Sequence, residues 1–266
     1  MHEIPMDAFL FQTVLPFLFS ALIVILITIG AEKLGTKAGG ILGTMPSTII
    51  IAFYFIAHNK GVQFASEAVA VVPAELAINL LFLFVFALLV HRSGTLALIS
   101  SFIVWIGLSS IVYTIHLNNI YISLFIYIIT LFITFIILEY KQQIHSSEKV
   151  HVHYTPKKIL LRGILAGVII SISVLLSNIN AVLSGIFSVF PAILTSTMII
   201  QYREHGAAFA SGMAKSMVFG ISSVACYATC IHFFYPLYGV LTGSLLAFII
   251  SFLLTMVLYQ LRSKIR

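Results

Sequence analysis

Long apolar runs alternate along this chain with short polar breaks. Nine such runs stand out, at 8–31, 40–57, 64–90, 95–115, 120–138, 159–176, 182–200, 207–232 and 237–261. A helix needs about 20 apolar residues to cross the hydrocarbon core of a bilayer, and most of these runs approach that length. They show no strict alternation of polar and apolar positions, which sets them apart from the strands of a membrane barrel. The pattern predicts an all-α polytopic membrane protein with about nine transmembrane helices. Two acids sit in the short polar leader 1–7. No basic stretch and no small-residue cleavage site accompanies the first run, which therefore reads as a retained span rather than a signal peptide.

Two of the runs are interrupted in the same way. Gly40-Ile41-Leu42-Gly43-Thr44-Met45-Pro46-Ser47-Thr48 recurs, degraded, as Gly185-Ile186-Phe187-Ser188-Val189-Phe190-Pro191-Ala192-Ile193, 145 residues later. At the same offset Gly61-Val62-Gln63-Phe64-Ala65-Ser66 lines up with Gly206-Ala207-Ala208-Phe209-Ala210-Ser211. Seven identities fall in the 27 aligned positions without a gap, the signature of two copies of one unit. Five spans separate corresponding elements, and an odd number reverses direction across the membrane. The expected organisation is a first repeat over 1–118 (spans 1–4), a linking span and cytoplasmic loop over 119–158, and an inverted second repeat over 159–266. Gly and Pro interrupting membrane helices at corresponding places in two halves point to a binding site of the secondary-transporter kind.

Composition strengthens the membrane reading. The chain is 61% hydrophobic and 8% charged, against about 25% charged for a soluble domain. Its net charge of +6 would suit nucleic acid, but no basic stripe or nucleic-acid motif is present. With nine spans, twelve basic residues sort to one side and only Lys60 to the other, while Lys215 lies within a span. That bias places the N-terminus outside and the C-terminus inside. Cys226 and Cys230, four residues apart in one span, read as small packing residues rather than a disulfide framework.

The unit built on Gly40, Met45, Pro46 and Gly61, repeated as Gly185, Phe190, Pro191 and Gly206, resembles the small bacterial GlpM-like inner-membrane proteins. The chain looks like two such units fused in antiparallel orientation. The resemblance implies a multi-pass protein of the cell membrane, the bacterial inner membrane, and brings no substrate with it.

Two ionisable residues lie deep in the spans, Glu75 and Lys215. A charge there costs about 2.5–3.5 kcal/mol, so each needs a partner, water or a function. Glu75 is a candidate proton or cation carrier, with Lys215 as counter-charge or substrate anchor. Counting rise per residue leaves a gap of about 10 Å between them along the membrane normal. The structural alternatives are a hydrogen-bonded carboxyl and a lysine that snorkels to the headgroups. Gly43, Thr44, Pro46, Ser47, Thr48, Ser188, Pro191 and Thr195 surround the two interruptions. Their hydroxyls either satisfy carbonyls freed by proline or bind a solute, and a helix N-terminus there favours an anionic or zwitterionic one.

The expected function is a secondary transporter of a small polar or ionic solute, working by alternating access between inverted repeats and proton-coupled through Glu75. A divalent-metal transporter using Glu75, Met45, Met198, Met213 and the loop histidines His145, His151 and His153 is an alternative, as is a non-transporting membrane scaffold or assembly factor. No enzyme motif, resident metal site or cofactor fingerprint is present. The partners implied are the lipid bilayer and a small-molecule or ion substrate, with a homo-oligomer compatible and nucleic acid not.

Overall fold

The computed structural model describes residues 9–33, 45–138 and 155–265. Gly40, Gly43, Thr44 and the histidine-bearing loop fall outside these residues. The described chain is all helical: α1 (Leu15–Lys33), led in by a wider π-helical turn (Leu10–Val14), α2 (Ser47–Lys60), α3 (Val62–Val69), α4 (Val72–Leu89), α5 (Gly94–Thr114), α6 (Ile120–Ile136), α7 (Pro156–Leu176), α8 (Ala181–Ser188) and α9 (Ala192–Ile265). Backbone breaks at Gly206 and Gly239 divide α9 into segments 192–205, 207–238 and 240–265.

Several helices are apolar and long enough to cross a membrane, as a multi-pass membrane protein requires: Leu10–Gly30, Val62–Leu89, Gly94–Thr114, Pro156–Leu176 and the broken run Ala181–Leu258. The outward faces are themselves apolar. Ile103 is 65% exposed, Phe125 65% and Leu241 74%. Such a surface suits lipid rather than water. The polar side chains are turned inward, among them Glu75, Asn79, Ser101, Ser184 and Gln201.

Helix ends follow local chemistry. Asn119 Oδ1 accepts from the N–H groups of Tyr121 and Ile122 to start α6, and Asn180 Oδ1 does the same for Val182 and Leu183 at α8. The run expected to be continuous over 64–90 is divided into α3 and α4 at Ala70–Val71. Pro73 has no N–H and its ring would clash with the carbonyl four residues back, so it occupies the first turn of a new helix. The Ala70 N–H turns to Glu67 O at 3.1 Å, a tighter closing turn than the α-helical bond to Ser66 O.

The two motif copies share one backbone geometry. Pro46, at φ −76° and ψ 50°, centres an inverse γ-turn closed by Ser47 N–H on Met45 O at 2.8 Å. At the second copy Ala192 N–H closes on Phe190 O, also at 2.8 Å. The first helical bonds then run from Ile50 N–H to Pro46 O and from Thr195 N–H to Pro191 O, at 3.3 and 2.8 Å. Fifteen residues on from each proline, Gly61 and Gly206 break the chain at φ +90° and +80° with ψ extended. Only glycine adopts that conformation without strain.

Two antiparallel contacts organise the bundle. Along α1 and α7, Ser171 Oγ donates to Thr13 O at 2.8 Å and Asn178 Nδ2 to Gln12 Oε1 at 2.8 Å. Gly163 and Gly167 let the backbones meet: a Cβ would lie 3.0 Å from Ala21 O at the first and 2.8 Å from Phe17 O at the second. Along α3–α4 and the 207–238 segment, Ser66 Oγ donates to His232 O at 2.8 Å and Ser211 Oγ to Ala87 O at 3.1 Å. Ser66 and Ser211 are 145 residues apart, and so are Ala87 and His232. The two bonds therefore join residues related by the same 145-residue offset.

Gly61→Ala and Gly206→Ala are each expected to destabilise the protein by about 1–3 kcal/mol through backbone strain. Gly107→Ala, in the middle of α5 with nothing within 4 Å of the added methyl, should be neutral or stabilising by up to about 1 kcal/mol. Equilibrium unfolding in mixed detergent measures all three.

Candidate functional site

Glu75 lies near the middle of the 28-residue span formed by α3 and α4, about 20 Å from either end. It is 0% exposed. Its Oε2 accepts a hydrogen bond from Ser109 Oγ of α5 at 2.8 Å, while Oε1 has no partner. One turn on, Asn79 Nδ2 donates to Val189 O at 2.8 Å, and Asn79 Oδ1 is likewise unpartnered. Val189 belongs to the break between α8 and α9, so α4 holds that break by one of its carbonyls.

α5 completes the cluster. It runs antiparallel to α4, as Ser101 Oγ to Phe82 O at 3.0 Å and Ser109 to Glu75 show. Trp105 lies midway between these contacts, level with Asn79, and its buried Nε1 has no hydrogen-bond partner. Its ring meets Phe190 edge-on at 4.9 Å and Phe187 at 6.3 Å. The residue before the second motif proline thus forms an aromatic wall on the polar cluster. Two acceptors and one donor, each without a protein partner, sit on neighbouring turns of two packed helices. An uncompensated charge on a carboxylate at this depth is destabilising.

The motif copies also meet. Thr48 of α2, Ala166 and Ile170 of α7, and Ser188, Phe190, Ala192 and Ile193 at the α8–α9 break line a cavity of about 20 Å³, room for about one water molecule. Gly185 brings α8 onto α3: a Cβ there would lie 2.1 Å from Ala68 O. Pro46 and Pro191 are buried at the starts of their helices, Ser47 opens α2, and Thr195 Oγ1 has no partner.

Of the residues singled out in the sequence, Thr48 and Ser188 share one cavity, and Pro191 lies within the break that bounds it. Glu75 lies beyond that break, linked to it through Asn79. Gly43 and Thr44 lie outside the described residues. Lys215 is buried in the 207–238 segment, but the register set by Ser211 and Ala87 places it across from Leu83. That is two turns, about 12 Å, from the level of Glu75, and Glu75 Oε1 is unpartnered. The two charges are not brought together. Among the described residues no three His, Cys, Asp or Glu side chains gather as a metal site. Met198 is fully buried in the apolar core.

Asn79, Trp105 and Ser109 were not singled out by sequence. Their signal is spacing: Glu75 and Asn79, and Trp105 and Ser109, are each four residues apart, which puts each pair on one helix face.

Residues 159–264 match the model of a protein family of unknown function, DUF3147. That description differs from the GlpM-like proteins suggested by the Gly and Pro motif, and the match does not reach the first motif copy. No curated protein and no solved structure matches the chain.

Asn79→Leu removes the bond that holds Val189 O and should destabilise the protein by about 0.6–1.7 kcal/mol, the range for hydrogen bonds between membrane helices. Glu75→Gln, whose amide can still accept from Ser109, should stay within about 1 kcal/mol of the parent. Detergent unfolding curves of the two variants test the contrast.

Proposed function

We propose that this protein is a secondary transporter of a small polar or ionic solute, with Glu75 as the group that carries the coupling proton or cation. The observation that carries the reading is the Glu75–Asn79–Trp105–Ser109 cluster itself. An ionisable side chain at mid-membrane, incompletely hydrogen-bonded and tied to a broken helix, marks a solute or ion path more often than a packing device.

The architecture supports the same reading. Equal γ-turns at Pro46 and Pro191, equal breaks at Gly61 and Gly206, and the exchanged Ser66–His232 and Ser211–Ala87 contacts favour an inverted duplication with units over 1–118 and 159–266. The family match over 159–264 as one piece supports treating that stretch as a unit. In this reading there are nine spans: α1, α2, α3–α4, α5, α6, α7, α8 with 192–205, 207–238 and 240–265. The N-terminus is outside, and the membrane is the bacterial inner membrane. Alternating access arises when the two units rock about the central cluster, exposing the cavity lined by Thr48 and Ser188 to each side in turn.

The test uses single cysteines, Ser47→Cys, Ala192→Cys and Glu75→Cys, in a background lacking Cys226 and Cys230. A membrane-impermeant thiol reagent is applied from each face of proteoliposomes. The expected result is labelling of the same positions from both faces, in proportions that shift between mildly acidic and mildly alkaline buffer. Adding Glu75→Gln to the Ser47→Cys and Ala192→Cys proteins should abolish that shift. Positions sealed from both faces at every pH would sink the transporter reading and leave the breaks as packing features.

A further inference from the structure

A second cavity, of about 130 Å³, lies between the α4–α5 turn and the first segment of α9. It is remote from Glu75: Phe86, which lines it, stands eleven residues further along α4, about 16 Å. Its walls form two layers. Thr95 at the start of α5, with Tyr202 and Arg203 near the end of the 192–205 segment, makes the outer one. One turn deeper, Leu98, Met198 and Ile199 make the inner one together with Phe86. Burial follows the same order. Thr95 and Arg203 are exposed, Tyr202, Leu98 and Ile199 are half-buried, and Phe86 and Met198 are 0% exposed.

The outer layer is basic and holds open donors. Glu204, next to Arg203 in sequence, is paired with Lys158, and among the described residues Arg203 makes no ion pair. Ser93 caps α5, its side chain accepting from Leu96 N–H and its carbonyl from Ala97 N–H, which leaves the N–H groups of Gly94 and Thr95 without a helical partner. Gly94 also shapes the wall. A Cβ there would run into the Tyr202 ring, so the missing side chain lets that ring lie against the first turn of α5. The cavity is thus a cationic, hydrogen-bonding rim over an apolar floor. A free phosphate has no use for the floor and a bare hydrocarbon none for the rim, whereas a headgroup with its chains matches both. The rim lies at helix ends, the level of lipid headgroups. With the N-terminus outside, as proposed, this end is cytoplasmic, where basic pockets between helices take anionic headgroups.

We propose that this cavity binds an anionic phospholipid. Arg203 pairs with the headgroup phosphate, and the Thr95 hydroxyl and the first N–H groups of α5 donate to its oxygens. The start of an acyl chain lies against Leu98 and Ile199 and points towards Phe86 and Met198. The volume is close to the roughly 150 Å³ that takes up benzene in an apolar cavity, so the floor admits the beginning of one chain and no more. A zwitterionic headgroup fits less well, because its ammonium meets the same guanidinium. Bound there, the lipid ties the 192–205 segment, which ends at the Gly206 break, to the α4–α5 turn. The site does not depend on the transport reading, since a lipid can bind there in a protein that moves nothing.

The test is thermal unfolding of the purified full chain in an uncharged detergent. Short-chain phosphatidylglycerol and phosphatidylcholine with the same chains are titrated in separate arms, and sodium phosphate is titrated against sodium chloride at matched ionic strength. The wild-type midpoint should rise saturably with phosphatidylglycerol, and far less with the other two. Arg203→Gln, at an exposed position, should weaken the phosphatidylglycerol response about five-fold or more, the loss of one basic residue near the membrane surface. Lys157→Gln removes an exposed charge outside the cavity and should leave the response intact. Leu98→Trp fills the floor without changing the charge and should weaken the response as Arg203→Gln does. Glu75→Gln should not affect it, so a failed transport test and a failed lipid site are told apart. The proposal is overturned by a wild-type protein that ignores phosphatidylglycerol, or that responds as strongly to phosphatidylcholine or to phosphate. It is equally overturned if Arg203→Gln matters no more than Lys157→Gln, or if a folded Leu98→Trp protein responds like the parent.

Discussion

Hydrocarbon offers a broken helix no water, so each backbone group released by a break needs a partner inside the protein. That constraint is visible at the interior breaks of this bundle. Where α3 ends, the Ala70 N–H turns to Glu67 O, and Ser66 O instead accepts from His232 Nδ1–H at 2.8 Å. Where α8 gives way to α9, Asn79 of α4 reaches Val189 O. The side chains that meet these carbonyls come from distant parts of the chain, 166 and 110 residues away. Tertiary packing and local irregularity therefore depend on one another: each break is tolerable only with its partner helix in place, and each partner helix is located by the break it serves.

The same constraint explains why the central cluster can be both buried and incompletely bonded. α4 spends the Asn79 amide hydrogens on Val189 and leaves its oxygen open. α5 offers the Ser109 hydroxyl to one oxygen of Glu75 and leaves the other open. The aromatic wall of Phe187, Phe190 and Trp105 keeps the surroundings apolar. Open acceptors in such surroundings form stronger hydrogen bonds with a polar donor than they would in water, because little solvent competes.

Much of the fold was legible in the sequence. The apolar runs mark the helices, and the Gly and Pro motifs mark the turns at Pro46 and Pro191 and the breaks at Gly61 and Gly206. What was not legible depends on register and on helix length. The run 64–90 reads as one continuous span, whereas Pro73 opens a second helix within it. The polar run Gln201–Gly206 reads as a loop, yet α9 continues to residue 205 and carries Gln201 into the interior. Glu75 and Lys215 read as possible partners because both are deep charges, and only the Ser211–Ala87 contact shows that they stand two turns apart. Asn79 can be seen on the face of Glu75, but its partner Val189 follows from the folded chain alone.

The exchanged serine contacts also have a mechanical meaning. Ser66 and Ala87 mark two anchor points along α3–α4, each bonded to the antiparallel 207–238 segment. Halfway between them lie Leu76 and Ala77, one to two residues from Glu75. A beam held at two points equidistant from its centre, and tilted against its neighbour, stretches one fastening while relaxing the other and displaces its midpoint least. In the proposed rocking of one unit against the other, Glu75 would stand close to that least-displaced midpoint.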